Sequence, residues 1–225
     1  MTENSKKNII GLLKYVAIVL GVWLVIFGLR STCMDTFKIS GGSMQPTLEN
    51  NNKVLVNRLA KKYKRGDVII FNSKGLDKLL KDNTKDMYFV KRVIGVAGDT
   101  VEFKDGKLFV NNKEVNQPYL KDNKDDNIVG SEEKKATGFP VDGGDAWTLK
   151  TLSKSKDWNN ISQGKGKVPS GCVFVLGDHR SISADSRYFG YVPTKAITGK
   201  VHTIPFTKTK TEAKMINDAA SDFFK

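Results

Sequence analysis

A serine that follows two glycines is the first feature of this sequence that could do chemistry. Residues 40–48 read SGGSMQPTL, in which Gly41 and Gly42 lead into Ser43, with Met44 after it. Glycine has no Cβ and adopts positive φ, so another backbone can approach the Ser43 hydroxyl closely, as a nucleophile requires. The same letters also fit a surface turn with an incidental serine, and the choice depends on what else the chain supplies.

A lysine within an apolar segment could activate such a serine. Residues 88–99 read YFVKRVIGVAGD, and a strand here places Phe89, Lys91 and Val93 on one face and Arg92 on the other. Burial disfavours the ammonium form, so the pKa of Lys91 could fall far enough to leave a neutral amine that accepts a proton. The alternative is a lysine that pairs with a carboxylate or lies on an edge strand.

A polar loop between apolar segments is the third candidate. Residues 177–190 read GDHRSISADSRYFG, which suggests a buried hydrogen-bond and ion-pair network that shapes a site. Asp185 and Arg187 could form a bracing pair, and Ser183 could offer its oxygen to a lysine amine. Composition alone equally allows a solvent-exposed loop.

The scarcity of histidine and cysteine narrows the chemistry. With two histidines, His179 and His202, a histidine zinc site is disfavoured, and a Ser/His/Asp triad would need one of these two. Cys33 and Cys172 form no CxxC motif, and whether they pair cannot be read from the sequence.

The net charge of +13 suits anionic partners. Nucleic acid ranks last because no nucleic-acid-binding motif is present, and a basic surface near a membrane is the simpler interpretation.

The N-terminal segment is typical of a membrane anchor. Residues 9–29 read IIGLLKYVAIVLGVWLVIFGL, about the length needed to cross a hydrocarbon core. Lys6 and Lys7 precede it, so the positive-inside tendency predicts a cytoplasmic segment 1–8 and an extracytoplasmic domain 30–225. A cleavable signal peptide is the alternative, but the apolar stretch is longer than usual and no small-X-small site closes it.

The remaining pattern predicts a mainly β domain. Asp105-Gly106 between two short apolar runs predicts a hairpin, and residues 171–177 have the composition of a buried central strand. Residues 111–170 are polar and weakly periodic, which favours an inserted smaller lobe. The tail from Phe206 ends in a modest helical pattern.

The anchor and the three segments, in this order, resemble the bacterial type I signal peptidases, and most closely their single-anchor Gram-positive form. The resemblance covers nearly the whole chain. It implies an antiparallel β catalytic domain with an inserted lobe, no metal and no cofactor. It also implies a membrane-bound serine endopeptidase that cleaves signal peptides from secretory preproteins after Ala-X-Ala, at the membrane and beside the export translocon.

Site residues are carried over by motif position. The resemblance implies that Ser43 is the nucleophile and Lys91 the general base, and that Ser183 orients that lysine. It also implies two structural ion pairs: Asp185 with Arg187, and Arg92 with Asp178. Gly41, Gly42 and Met44 belong to the nucleophile loop.

Two positions depart from the family pattern. Some members have a serine two residues before the nucleophile that helps to bind the oxyanion, where this chain has Gly41, so the second oxyanion donor stays unassigned. His179 stands where asparagine is common, which raises the possibility of a histidine base, although that position serves scaffolding in the family.

Two further functions remain open. A Ser/Lys self-cleaving regulator shares the chemistry, but its usual cytoplasmic location conflicts with the anchor. A non-catalytic, membrane-tethered envelope-binding protein would use the basic charge instead.

Overall fold

The computed structural model describes residues 3–76, 86–120, 146–154, 158, 161, 166–202, 210–217, 219 and 221–224. Residues 121–145 of the predicted lobe and several shorter segments lie outside these ranges. Helices occupy α1 (Glu3–Cys33), α2 (Leu149–Leu152), α3 (Ser186–Phe189) and α4 (Lys210–Asn217). The strands are β1 (Met34–Lys38), β2 (Lys53–Asn57), β3 (Val68–Asn72), β4 (Tyr88–Val96), β5 (Val101–Lys104), β6 (Lys107–Val110), β7 (Lys113–Glu114), β8 (Trp147–Thr148), β9 (Cys172–Leu176), β10 (Val192–Pro193) and β11 (Ile197–His202).

The strands form two antiparallel sheets, which confirms the mainly β prediction. The large sheet has the order β1-β2-β11-β3-β4-β9-β10, and the small one has the order β7-β6-β5-β8. Although three strands separate β1 from β4 in this order, the rings of Phe37 on β1 and Tyr88 on β4 lie 5.5 Å apart. The large sheet is therefore curled into an open half-barrel.

The small sheet begins before the predicted lobe. Its first hairpin joins β5 to β6 through Asp105 and Gly106, both with positive φ, as the sequence predicts. Its last strand, β8, pairs with β5. Buried Phe103 and Trp147 from this sheet pack in one cluster with Phe174 of β9. The two sheets consequently share a core.

Helix α1 is separate from this core. Its segment Ile10–Gly28 has a mean hydropathy of 2.4 and is not buried against the rest of the chain. By length and composition it can cross a membrane. The helix continues directly into β1, and the Arg58 N–H donates to the Cys33 carbonyl at 2.9 Å. Cys33 and Cys172 are free thiols.

Candidate active site

The nucleophile loop is held by its apolar residues rather than by regular structure. Met44 and Leu48 are fully buried beside Val54 and Val56 of β2. Burial of side chains of this size contributes about 1.5–3 kcal/mol each, which fixes the loop on the sheet. Gly41 has φ +90°, a conformation that favours glycine. Ser43 is thereby held at the wall of a cleft rather than in the core.

Lys91 meets Ser43 across this cleft. Lys91 lies within β4, where it pairs with Ile69 of β3, and it is 3% exposed. Its Nζ lies 2.7 Å from Ser43 Oγ, which is within hydrogen-bonding distance. The ring centroid of Phe89, on the same face of the strand, is 5.4 Å from Nζ. The amine is thus shielded from water and directed at the serine.

Arg92 points away from Lys91, as the period of the strand predicts, and forms a bidentate pair with Asp178. The two N···O distances are 2.9 and 2.7 Å, and both side chains are fully buried. Thr47 donates from Oγ1 to Asp178 at 2.6 Å. The second guanidinium edge donates to the carbonyls of Gly66 and Met215 at 2.9 and 3.2 Å. One arginine therefore ties β4 to the nucleophile loop, the loop after β9 and helix α4.

The Arg92–Asp178 pair also has an aromatic neighbour. The guanidinium carbon lies 4.0 Å from the ring centroid of buried Tyr119, a cation–π distance. Burial alone would lower the pKa of Arg92, but the charge and hydrogen bonds of Asp178 hold it above its ordinary value. Thr47, Tyr119 and Met215 were missed by the sequence interpretation. Thr47 lies within residues 40–48, but no sequence signal connects Tyr119 or Met215 to the site.

Asp185 and Arg187 form a second buried pair, at 2.9 and 3.0 Å. Asp185 also accepts from the Gly177 backbone N–H at 3.0 Å, and Arg187 donates to the Arg180 carbonyl at 2.6 Å. Burial would raise the pKa of Asp185, but Arg187 and the Gly177 N–H hold it below its ordinary value. The residue 177–190 loop is accordingly a buried network and not a solvent-exposed loop.

Two buried residues of this loop have side chains that form no hydrogen bond within the described part of the chain, and for Ser183 the sequence predicts one. Within the described ranges, neither the Ser183 hydroxyl nor either ring nitrogen of His179 has a hydrogen-bond partner. The hydrogen bond from Ser183 to Lys91 is therefore not present in this geometry, and the orienting role of Ser183 stays a prediction. His179 contributes through its backbone, since its N–H donates to the Ser43 carbonyl at 3.1 Å.

The cleft beside Ser43 has a volume of about 320 Å³ and mostly apolar walls. Its apolar lining includes Phe37, Ile39, Phe89, Val90 and Ile182. In the described part of the chain, no group of three or more His, Cys, Asp or Glu residues could hold a metal ion.

The chain is similar to known proteins of one family. The family described as signal peptidase, peptidase S26, matches residues 12–206. The chain belongs to this family. Signal peptidase I of Bacillus caldolyticus is 37% identical over 180 residues, which cover 79% of this chain and 82% of that protein. Signal peptidase IB of Staphylococcus aureus is 33% identical over 193 residues, covering 84% and 87%.

A crystal structure of a signal peptidase I from Enterococcus faecalis is 30% identical, with a TM-score of 0.42, and covers 62% of this chain and 96% of that one. The curated relatives come from Gram-positive bacteria. Membership of the peptidase S26 family identifies the chain as a serine peptidase of the type I signal peptidase class, as the sequence predicts.

Proposed function

We propose that this protein cleaves signal peptides from secretory preproteins with a Ser43/Lys91 dyad. The observation that carries the proposal is the 2.7 Å separation of Lys91 Nζ and Ser43 Oγ at the wall of an apolar cleft. Burial of Lys91 disfavours its ammonium form, so the amine accepts a proton from Ser43 without help from a histidine.

The mechanism is acyl transfer in two steps. Ser43 Oγ attacks the scissile carbonyl as Lys91 takes the hydroxyl proton, and the same proton then passes to the leaving amine. Water activated by Lys91 releases the acyl-enzyme. The Ser43 backbone N–H, which donates to no acceptor among the described residues, is one oxyanion donor. Ser183, which packs against Gly177 near the Ser43 carbonyl, restricts the movement of the lysine.

Substrate selection follows from the shape of the cleft. Strand β1 is an edge of the large sheet and its end lines the cleft, so an extended preprotein segment pairs with it through the main chain. The narrow apolar space beside Ser43 accepts small side chains, which supports cleavage after Ala-X-Ala. The amino terminus is cytoplasmic and the catalytic domain extracytoplasmic, where a preprotein emerges from the export translocon.

The test is cleavage by the detergent-solubilised full chain. A preprotein is incubated with the parent protein, and the new amino terminus is sequenced. Cleavage immediately after Ala-X-Ala is expected, with none by Ser43→Ala or Lys91→Ala, while both variants keep the circular dichroism of the parent.

His179→Ala distinguishes the lysine from a histidine base. Because His179 contacts Ser43 through its backbone, the alanine variant is expected to keep most of the activity. Cleavage by Lys91→Ala, or a loss in His179→Ala as deep as in Ser43→Ala, would refute the dyad. Binding of anionic polymers without cleavage by the parent would favour an envelope-binding protein instead.

A further inference from the structure

Several strands of the large sheet have an end at the place where helix α1 enters. Met34, the first residue of β1, pairs with Asn57, the last residue of β2, and Asn72 at the end of β3 pairs with Tyr88 at the start of β4. The first residue of β11 pairs with Phe71, next to this end. We call these strand ends, with the segments that leave them, the anchor-proximal end. The Arg58–Cys33 hydrogen bond joins it to the last residue of α1.

Exposed apolar side chains are concentrated at the anchor-proximal end. Met34, Leu59, Met87 and Tyr88 are 38%, 62%, 41% and 48% exposed. Among the described residues outside α1, the other large apolar side chain with comparable exposure is Phe224. Scattered exposed apolar residues need no explanation, but four at one end of one sheet mark an interaction surface.

A basic groove lies at the same end of the sheet, and Tyr88 lines it. It has a volume of about 580 Å³ and is lined by Arg58, Lys61, Lys74 and Lys195. Asp35 lies 3.8 Å from Arg58 and Asp86 lies 3.7 Å from Lys74, but all four of these side chains are about half exposed. Exposed pairs of this kind are weak, and the four cations against two carboxylates leave the groove positive.

The length of α1 determines what this end meets. The apolar span ends at Gly28, and the helix continues for five residues to Cys33, which adds about 8 Å. The polar layer on each side of a hydrocarbon core is roughly 5–8 Å thick. A helix that crosses the membrane therefore delivers the anchor-proximal end to the level of the lipid headgroups.

We propose that the anchor-proximal end is a docking surface for anionic phospholipids. The headgroup phosphates bind in the groove between Arg58, Lys61, Lys74 and Lys195, while Leu59 and Met87 enter the polar layer beside them. Basic residues near an anionic membrane surface attract it, and exposed apolar side chains add insertion to that attraction. Tyr88 borders both the groove and the Ser43 cleft, so docking fixes the direction in which the cleft faces the bilayer.

A fluorescence experiment on the full chain tests this surface. Leu59→Cys is made in a Cys33→Ser background, labelled with an environment-sensitive dye, and reconstituted in vesicles. The vesicles contain phosphatidylcholine alone, or equal parts of phosphatidylcholine and phosphatidylglycerol. We expect a blue-shifted emission that spin-labelled lipid quenches in the anionic vesicles, and little change in the neutral ones. The same dye on Lys107→Cys, in the small sheet, is expected to report water in both.

Two quadruple variants that remove the same charge test whether the groove is the part of the surface that binds the vesicles. Arg58→Gln, Lys61→Gln, Lys74→Gln and Lys195→Gln together are expected to lower the ratio of docked to undocked protein at least about tenfold. A control removes the same charge at Lys53, Lys104, Lys113 and Lys154, which are exposed elsewhere, and is expected to change the ratio little.

Three results would overturn the proposal: no difference between positions 59 and 107, equal signals in neutral and anionic vesicles, or equal losses in both quadruple variants. Peptide cleavage is not part of this measurement, so the outcome is independent of the proposed peptidase mechanism.

Discussion

Gly177 and Ser183 are packed so closely that no side chain fits between them. A Cβ built on Gly177 would overlap Ser183 Oγ and lie 2.5 Å from both Ser183 Cβ and the Ser43 carbonyl oxygen. Because Gly177 has no side chain, the loop that carries Ser43 can approach the residue 177–190 loop closely.

We expect Gly177→Ala to reduce preprotein cleavage strongly while it lowers the stability of the fold much less. The added methyl group displaces Ser43 from Lys91, and a misplacement of about 1 Å can cost on the order of 100-fold in rate. Preprotein cleavage and thermal unfolding measure the two effects separately. Ser183→Gly in the same background removes one of the two clashes and should restore part of the activity. A Gly177→Ala enzyme as active as the parent would contradict this packing.

The Arg92–Asp178 pair should be costly to break from one side. Asp178→Ala leaves a fully buried guanidinium without its carboxylate, and we expect a loss of about 3–5 kcal/mol in the free energy of unfolding. The double variant Arg92→Met, Asp178→Leu removes both charges and should be less destabilised than the sum of its single changes. Urea unfolding measures the stability of the parent, the two single variants and the double variant, which together form a double-mutant cycle. Strictly additive losses of stability would show that the two residues are not coupled.

Thr47 should act as a positioning residue for Ser43. Thr47→Val keeps the side-chain shape but removes the 2.6 Å hydrogen bond to Asp178, which should cost about 1.5–3 kcal/mol of stability. Because Thr47 is four residues after Ser43, the proposed nucleophile, we expect kcat to fall while KM changes little. Thr47→Ser keeps the hydroxyl and serves as the control. Equal kinetics for the valine and serine variants would argue against this role.

Asp99 should contribute to stability at neutral pH and not in acid. Burial would raise the pKa of Asp99, but Arg65, the Val96 N–H and Asn111 hold it below its ordinary value. As the pH falls, Asp99 therefore binds a proton in the unfolded chain before it does so in the folded chain. The stabilisation by Asp99 is complete above its ordinary pKa and is lost as the pH falls through the lower pKa of the folded state.

The variant Asp99→Asn should accordingly be less stable than the parent at about pH 6 and approach it near pH 3. Chemical unfolding at both pH values measures this difference. A gap of constant size would show that Asp99 does not titrate differently in the folded state.

The sequence predicts the separate parts of the site better than their assembly. Alternation along residues 88–99 correctly places Lys91 and Arg92 on opposite faces, because local strand geometry decides that relationship. No local rule brings Ser43 to Lys91, which are 48 residues apart, and that contact depends on the curl of the whole sheet. The connection of Arg92 to helix α4 is of the same long-range kind.

The second sheet shows a similar limit. Asp105-Gly106 marks its hairpin, since two residues with positive φ are needed there. Strand β8 pairs with Glu102–Phe103 far back in the chain, and no local pattern predicts that pairing. Strand β1 was missed, because it alternates between half-buried and exposed residues and has no clear apolar face.

The direct junction of α1 and β1 fixes the distance between the anchor and the cleft. Helix α1 ends at Cys33 and β1 begins at Met34, so no flexible linker separates the membrane span from one wall of the cleft. Five strand residues reach at most about 17 Å from the helix end to Lys38, where the cleft begins. In the proposed membrane arrangement, covalent geometry thereby sets the height above the bilayer at which a peptide bond can be cut, and a signal peptide must present its cleavage point at that height.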